Sequence, residues 1–431
     1  MRQGPDHLRR IVIVGGGAGG AELASVLGRR SRADRTEVSL VDCVPAHLWK
    51  PRLHEVAAGL VGPTDDAISY LALARANGFR FQLGALAGLD AGARTIEIAE
   101  VLGSDGRQVI GPRQLGYDEL VLAFGSQVND FGVPGVLADC HMLDSGEDAA
   151  AFQRQLLEAA VRGADSGSGP LRIGIVGAGA TGVELAAELH HAIHEMQHYG
   201  VSVSVDITII DMGSRVLPAS APEVSELAHR SLQHAGVTVR LNAGVEAVTA
   251  EGFQLAGGEM IPCELKVWAS GVVGRPLAAQ LPGLTLAKGR RIACDGFLRC
   301  QGVDNIHALG DCAEVMDAET GRPLPPTAQV AHQQASYLAD HLSRRKLGQA
   351  EREFRYRPRG SLVSLGEGSA AGEFPKPVKG EMLTFSGVIP KLLYASLQLS
   401  HRAKLTGALH AAAWFLAERL RQTSLPAVKL H

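Results

Sequence analysis

Two glycine-rich turns, each set between an apolar run and a helix-like segment, constrain this chain more than any other feature. The first is Ile11-Val12-Ile13-Val14, then Gly15-Gly16-Gly17-Ala18-Gly19-Gly20, then Ala21-Glu22-Leu23-Ala24. The second runs from Ile173 to Val176, through Gly177-Ala178-Gly179-Ala180-Thr181-Gly182, into Val183-Glu184-Leu185-Ala186. Gly15 and Gly177 allow a tight turn out of a strand, Gly17 and Gly179 let backbone approach a pyrophosphate, and Gly20 and Gly182 let helix pack on strand. A phosphate then rests on unpaired N–H groups at the positive end of a helix dipole. Each copy is followed by an apolar run ending in an acid, Val38-Ser39-Leu40-Val41-Asp42 and Ile207-Thr208-Ile209-Ile210-Asp211. An acid at that point is placed for a ribose 2′-hydroxyl and repels a 2′-phosphate. Asp211 therefore favours NADH over NADPH, although Arg215, four residues on, leaves NADPH open. One such turn can arise from packing alone. Two, each with strand, helix and acid, predict two bound dinucleotides, and the chemically useful pair is a flavin and a nicotinamide.

At 431 residues the chain exceeds one ordinary core and should divide into two or three domains. With 46% hydrophobic residues and 51 glycines it reads as α/β, and a net charge of −3 gives no general attraction to nucleic acid. The first strand follows the amino terminus within a few residues, which predicts no secretory signal and a cytoplasmic chain. Cys43, Cys140, Cys263, Cys294, Cys300 and Cys312 contain no CxxC pair and suit free buried thiols.

The order of segments is nested. Tyr117 to Ser126 reads as a buried strand meeting a turn at Gly125, Gly163 to Gly169 as a polar loop, and Leu265 to Gly271 as a second strand and turn resembling the first. Asn305-Ile306-His307-Ala308-Leu309-Gly310-Asp311 would return the chain to the first unit. This gives a discontinuous flavin-binding domain, 1–125 with 292–350, a nicotinamide-binding domain, 126–291, and a C-terminal region, 351–431.

Several stretches carry a resemblance beyond the glycines: His47-Leu48-Trp49-Lys50-Pro51, His54-Glu55-Val56-Ala57-Ala58-Gly59, Phe124-Gly125-Ser126 with Asn129-Asp130-Phe131, Pro134-Gly135-Val136, and Ala328-Gln329-Val330-Ala331-His332-Gln333. Together with the second glycine turn, they make the chain resemble the type II NADH:quinone oxidoreductases over essentially its whole length. The resemblance implies two Rossmann-type domains of the glutathione-reductase kind plus an amphipathic helical region for membrane anchoring. It implies non-covalent FAD on the first unit, held by Gly15, Gly17, Gly20, Asp42, Lys50, Pro51, Ala123, Gly125, Gly310, Asp311 and Ala328. NADH as substrate would lie on Gly177, Gly179, Gly182, Glu184, Asp211 and Gly271. Hydride transfer needs alignment and exclusion of water more than a titrating residue. Electrons would leave to a membrane quinone, ubiquinone or menaquinone, beside Gln329 and Gln333. These share one helix face at i and i+4, and an amide donates to a quinone without bringing a charge into an apolar tunnel. Glu184 would sit beside the nicotinamide amide, or else act as a helix N-terminal acid. One departure is Phe124, where this superfamily usually has threonine.

The alternatives are a sulfide:quinone oxidoreductase, which needs cysteines poised at the flavin, and an NADH-binding flavoprotein sensor of low turnover. His194-Glu195-Met196-Gln197-His198 matches a zinc-protease pattern, but it reads as the solvated end of a crossover helix and no metal is expected. Near the C-terminus, Val388, Ile389, Leu392, Leu393, Leu397 and Leu399, and then Leu405 through Trp414, Phe415 and Leu416, are too interrupted to span a bilayer. Lys391, Arg402, Lys404, Arg419, Arg421 and Lys429 have only Glu418 as a nearby acid. Basic amphipathic helices of this kind lie in the interface, with Trp414 as a depth anchor. The family reading adds a peripheral location on the cytoplasmic face of the inner membrane, no proton pumping, and homodimerisation through the same region.

Overall fold

The strand Arg9–Val14 is apolar and buried from Ile11 onward, and it becomes the centre of a five-stranded parallel sheet ordered 306–308, 119–122, 9–14, 36–42, 80–83. The strand Leu171–Val176 holds the same place in a second parallel sheet ordered 141–142, 265–268, 171–176, 205–210, 238–240. The computed structural model describes residues 8–31, 35–166, 169–201, 203–366, 369–375, 382–424 and 428. Each unit also carries a three-stranded antiparallel sheet inserted just before the strand that pairs with the other side of its glycine-turn strand, 86–116 ahead of 119–122 in the first and 245–262 ahead of 265–268 in the second. The duplication visible in the glycine turns therefore extends to the topology. Strands with both faces covered are apolar throughout, as parallel sheets require: Ile11, Val12 and Ile13 pack with Leu40 and Leu120 in one core, and Ile173 and Ile175 with Ile209 and Val267 in another.

The glycine helices are α1, Ala18–Ser31, and the crossover helix of the second unit, Ala180–His198. Between them α2, Gly146–Ser166, extends into the stretch read from sequence as a loop. Gly163 sits near its end, where a helical glycine costs about 1 kcal/mol, and the buried face of Phe152, Leu156 and Ala160 outweighs that. With Ala180–His198 as α3, the helix α4 is Ala328–Lys346, packed beside α1 through Leu338 and Leu342. Paired strands 126–128 and 272–274, antiparallel, carry the chain between the two units.

The tail forms an antiparallel sheet, 361–364, 370–375 and 382–387, then α5, Val388–Thr406, and α6, Ala408–Ser424, separated by Gly407 at φ +90°. The break is where a left-handed residue should end a helix. Side chains of Val388, Ile389, Lys391 and Leu392, and the whole of Lys429, lie outside the described residues. Among the described residues no helix is long and apolar enough to cross a membrane.

Candidate functional site

The two glycine turns are built alike to within a tenth of an ångström in their backbone-to-backbone bonds. Gly15 N–H donates to Val41 O at 2.8 Å, and Gly177 N–H to Ile210 O at 2.8 Å. Ala21 N–H reaches Gly17 O and Val183 N–H reaches Gly179 O, both at 3.1 Å, opening the two helices at the same register. A Cβ on Gly20 would stand 1.9 Å from Gly15 O, and one on Gly182 would stand 1.9 Å from Gly177 O. Gly17 and Gly179 would meet nothing within 4 Å, so the turn is open on the side where a pyrophosphate must come. The acids close each turn: Asp42 accepts from Gly16 N at 2.5 Å and Val44 N at 3.0 Å, and Asp211 from Ala178 N and Gly213 N, both at 2.6 Å. Arg215 turns away to donate to Pro218 O at 2.8 Å. This pair of open cradles fits two dinucleotides.

Gly125, Gly271 and Gly310 all adopt positive φ, at 72°, 66° and 71°, where an L side chain is strained. Asp311 lies at the end of the returning strand, accepts from Ser126 Oγ at 3.0 Å, and has its pKa raised by burial. Lys50 and Pro51 begin a short 3-10 turn, with Lys50 Nζ 3.4 Å from Asp144. Arg275 joins Asp144 at 2.8 Å and donates to Phe124 O at 3.2 Å, so this loop is tied to the strand that links the units.

Ala328 starts α4 after the Thr327 cap, and the two glutamines follow. Their amides are engaged by the segment 356–360: Gln329 Oε1 accepts from Tyr356 Oη at 2.7 Å and Arg359 N at 2.8 Å, while its Nε2 donates to Gly360 O at 3.0 Å. Gln333 clamps Arg357, donating to its carbonyl at 2.8 Å and accepting from its N–H at 3.0 Å. The sequence placed both amides on one face; it did not show that they hold a strap of chain.

Glu184 is buried against His54, with Nδ1 to Oε2 at 3.4 Å, and accepts from Ser364 N at 3.0 Å. Burial pushes Glu184 up to about 8, aided by Glu188 and Glu55 and opposed by the Ser364 bond, while burial lowers His54 to about 4. At neutral pH the contact is therefore a protonated carboxyl against a neutral imidazole, not an ion pair. Unfolded Glu184 ionises near 4.5 and the folded group near 8, so its contribution is full below 4.5 and is lost as pH rises through 8. His54 acts oppositely, weakening the fold as pH falls from 6.5 towards 4. Glu184→Gln should thus flatten the alkaline side: thermal unfolding between pH 5 and 8 should show the wild type losing on the order of 2 kcal/mol more than the variant. Equal losses would refute the protonated carboxyl.

Sequence reasoning missed Gly16, His47 and Tyr70. A Cβ on Gly16 would strike Tyr70 Oη at 2.2 Å, and Gly16 O accepts from Tyr70 Oη at 2.7 Å and His47 Nδ1 at 2.8 Å. The third consecutive glycine was the available signal. It also read the tail as unpaired basic charge. Lys404 instead bonds Glu22 at 3.1 Å, Arg421 bonds Asp65 at 2.7 Å, and Arg402 lies 4.0 Å over the Trp414 ring, so three of these charges are spent on the body of the protein or on the tail itself. Burial pushes Cys312 and Cys140 to about 12 and Cys263 to about 11, away from the reactive thiolate, while Cys43, against the expectation of buried thiols, is exposed. His194 and His198 meet edge to face at 5.4 Å, and among the described residues no group of three or more His, Cys, Asp or Glu side chains is arranged to hold a metal.

Residues 9–335 match the model of the pyridine nucleotide-disulphide oxidoreductase family. The chain is 33% identical over 445 aligned positions to the type II NADH:quinone oxidoreductase of Haemophilus influenzae, covering 98% of this chain and 100% of that one. It superposes on the solved structure of NDH2 from Plasmodium falciparum in complex with NADH with a TM-score of 0.80 at 18% identity, covering 96% of this chain and 98% of that one. The sulfide:quinone oxidoreductase of Aquifex aeolicus gives a TM-score of 0.73 at 18% identity over 93% and 92% of the chains, a likeness of fold. The chain belongs to the pyridine nucleotide-disulphide oxidoreductase family and, within it, to the type II NADH:quinone oxidoreductases.

Proposed function

We propose that the chain oxidises NADH and reduces a membrane quinone, with FAD held non-covalently between them. Flavin, NADH and quinone chemistry follow from family membership; FAD as the particular flavin is supported by the full dinucleotide cradle of the first unit, with Asp42 beside the turn and Asp311 at the returning strand. The observation that carries the reading is the matched pair of open glycine turns, one per unit. A flavin held there would supply a hydride acceptor for the nicotinamide and a two-electron donor for the quinone. The flavin-binding domain would comprise 1–125 and 292–350, the NADH-binding domain 126–291, and the membrane-association region 351–431.

The chain's own part is to hold and orient. Gly17 and Gly179 present N–H groups to pyrophosphates, Asp42 and Asp211 accept from ribose hydroxyls, and Gly125 and Gly271 keep side chains out of the space between the units. Lys50, Pro51, Ala123, Gly310 and Ala328 would line the flavin. The bonds to 356–360 use one N–H of each glutamine amide, and the second N–H of Gln329 or Gln333 is the donor offered to a quinone oxygen. Glu184, protonated at neutral pH, can donate to the nicotinamide amide. A sulfide-oxidising reading lacks its thiols: Cys294, Cys300 and Cys312 are buried in the fold, and Cys43 adjoins the ribose acid.

Peripheral attachment to a membrane, proposed here as the cytoplasmic face of the inner membrane, draws its support for a surface anchor from α6. Leu409, Leu416 and Leu420 are 86%, 63% and 63% exposed and lie with Ala413 along one face. Replacing the three leucines by glutamine should move the protein from sedimenting with anionic vesicles to the supernatant while its flavin stays bound. Continued sedimentation would reject α6 as the anchor, and a fall in native mass would assign the stripe to a homodimer instead. Turnover without proton pumping is part of the same proposal; among the described residues no helix is long and apolar enough to cross a bilayer.

A further inference from the structure

The carbonyl of the residue after the first turn glycine is satisfied differently in the two units. In the second, Ala178 O accepts a backbone N–H from Leu217 at 2.8 Å, a bond that needs no particular side chain. In the first, Gly16 O depends on two side chains, Tyr70 and His47. His47 in turn has Nε2 2.9 Å from Nε2 of His401, which lies on α5 and stacks on Trp49 with ring centroids 4.2 Å apart and planes 30° apart. His47, His401 and Tyr70 are 2%, 6% and 2% exposed.

The protons in this chain of bonds can be assigned. Burial lowers His47, and burial, with His47, His332, Lys404 and Arg402 close by, lowers His401 to about 2, so both rings are neutral. Gly16 O only accepts, so His47 carries its hydrogen on Nδ1 and offers a lone pair at Nε2. His401 must then carry its hydrogen on Nε2 and donate. The direction runs from His401 to His47 to Gly16 O. Without that donor, His47 Nε2 is a buried lone pair with nothing to accept from, at a cost of about 1–3 kcal/mol, and the ring loses the bond that fixes its angle towards Gly16 O.

Gly16 O matters because of what lies opposite. The described peptide bonds are all trans, and in a trans peptide the C=O and N–H point in opposite directions. Drawing Gly16 O inward towards His47 and Tyr70 aims Gly17 N–H outward, where Gly17 is exposed and the cradle is open. Lys404, almost one turn beyond His401, anchors the same helix to Glu22 of α1 at 3.1 Å, and His332 of α4 closes that contact with Nδ1 2.5 Å from Glu22.

We propose that α5 is a working part of the flavin site: His401, acting through His47, is a positioning residue that aims the phosphate-binding N–H of Gly17 and so sets how tightly FAD is held. The C-terminal helix pair thereby couples its own docking on the body to retention of the cofactor. This rests on the FAD reading above.

The test is the rate at which the full-length protein releases FAD after dilution, followed by flavin fluorescence. His401→Leu keeps bulk and removes the donor; release should quicken about tenfold, the equivalent of about 1.4 kcal/mol. His401→Gln restores an N–H donor and should stay within about threefold of wild type. His401→Phe, which keeps the ring stack on Trp49 without a donor, is the second variant should leucine fail to fold, and should behave as leucine does. Tyr70→Phe, removing the other donor to Gly16, should also quicken release. Unchanged release in a folded leucine or phenylalanine variant would overturn the inference, as would glutamine releasing FAD as fast as leucine, which would mean packing alone. A wild-type protein that carries no FAD would overturn the flavin reading and the inference with it.

Discussion

Gly182→Ala is expected to slow flavin reduction by NADH about 100-fold while the flavin itself stays bound. The added Cβ would stand 1.9 Å from Gly177 O, and this neighbour is backbone in a turn pinned by the Gly177 to Ile210 bond, so it cannot swing aside. The start of α3 must move by more than an ångström. Displacements of that size at a positioning element cost about 100-fold in rate. The first unit keeps its own turn, sheet and core, so the visible flavin spectrum should be unaltered. Rapid mixing of the variant with NADH checks this, and bleaching at the wild-type rate would remove the second turn from NADH binding.

Gln329→Leu should separate the two halves of the reaction from the other side. It takes away the proposed quinone donor and orphans Tyr356 Oη, Arg359 N and Gly360 O, which together hold the 356–360 strap on α4. One lost charge-free donor and a loosened strap are worth about 1.5–3 kcal/mol in the quinone step, a slowing of about 10- to 100-fold. Flavin reduction by NADH should change by less than about twofold. An equal loss in both steps would mean that the amide shapes the flavin site and not the quinone site. Gln333→Leu, which releases only Arg357, is expected to have the smaller effect of the two.

These expectations also mark how far the sequence reaches. The turns at Gly15 and Gly177 were legible because their constraint is local: six residues of backbone must turn, approach a phosphate and pack a helix, and only glycine allows each step. The acids Asp42 and Asp211 were legible for the same reason, whereas the break at Gly407 falls inside the stretch from Leu405 to Leu416 that reads as one apolar run. What escaped depended on distance along the chain. His401 meets His47 across 354 residues, Lys404 meets Glu22 across 382, and Arg421 meets Asp65 across 356, so the tail looked like unpaired basic charge when Lys404 and Arg421 were already engaged. The antiparallel sheet of 361–387 was missed because its strands, which lie beside α3 and α5, have no clean alternation to announce them, although Ser364 supplies the N–H that holds Glu184. The end of α2 escaped because burial of Leu156 and Ala160 outweighed a glycine and a polar composition.

The most direct test of the account is anaerobic stopped-flow on the purified protein, mixing first with NADH and then with a short-chain ubiquinone while flavin absorbance is followed. The account predicts rapid bleaching by NADH and rapid recovery on adding quinone, each at a rate at least equal to steady-state turnover. Bleaching without recovery would contradict the quinone step and leave an NADH-binding flavoprotein, and absence of bleaching would contradict NADH as the donor.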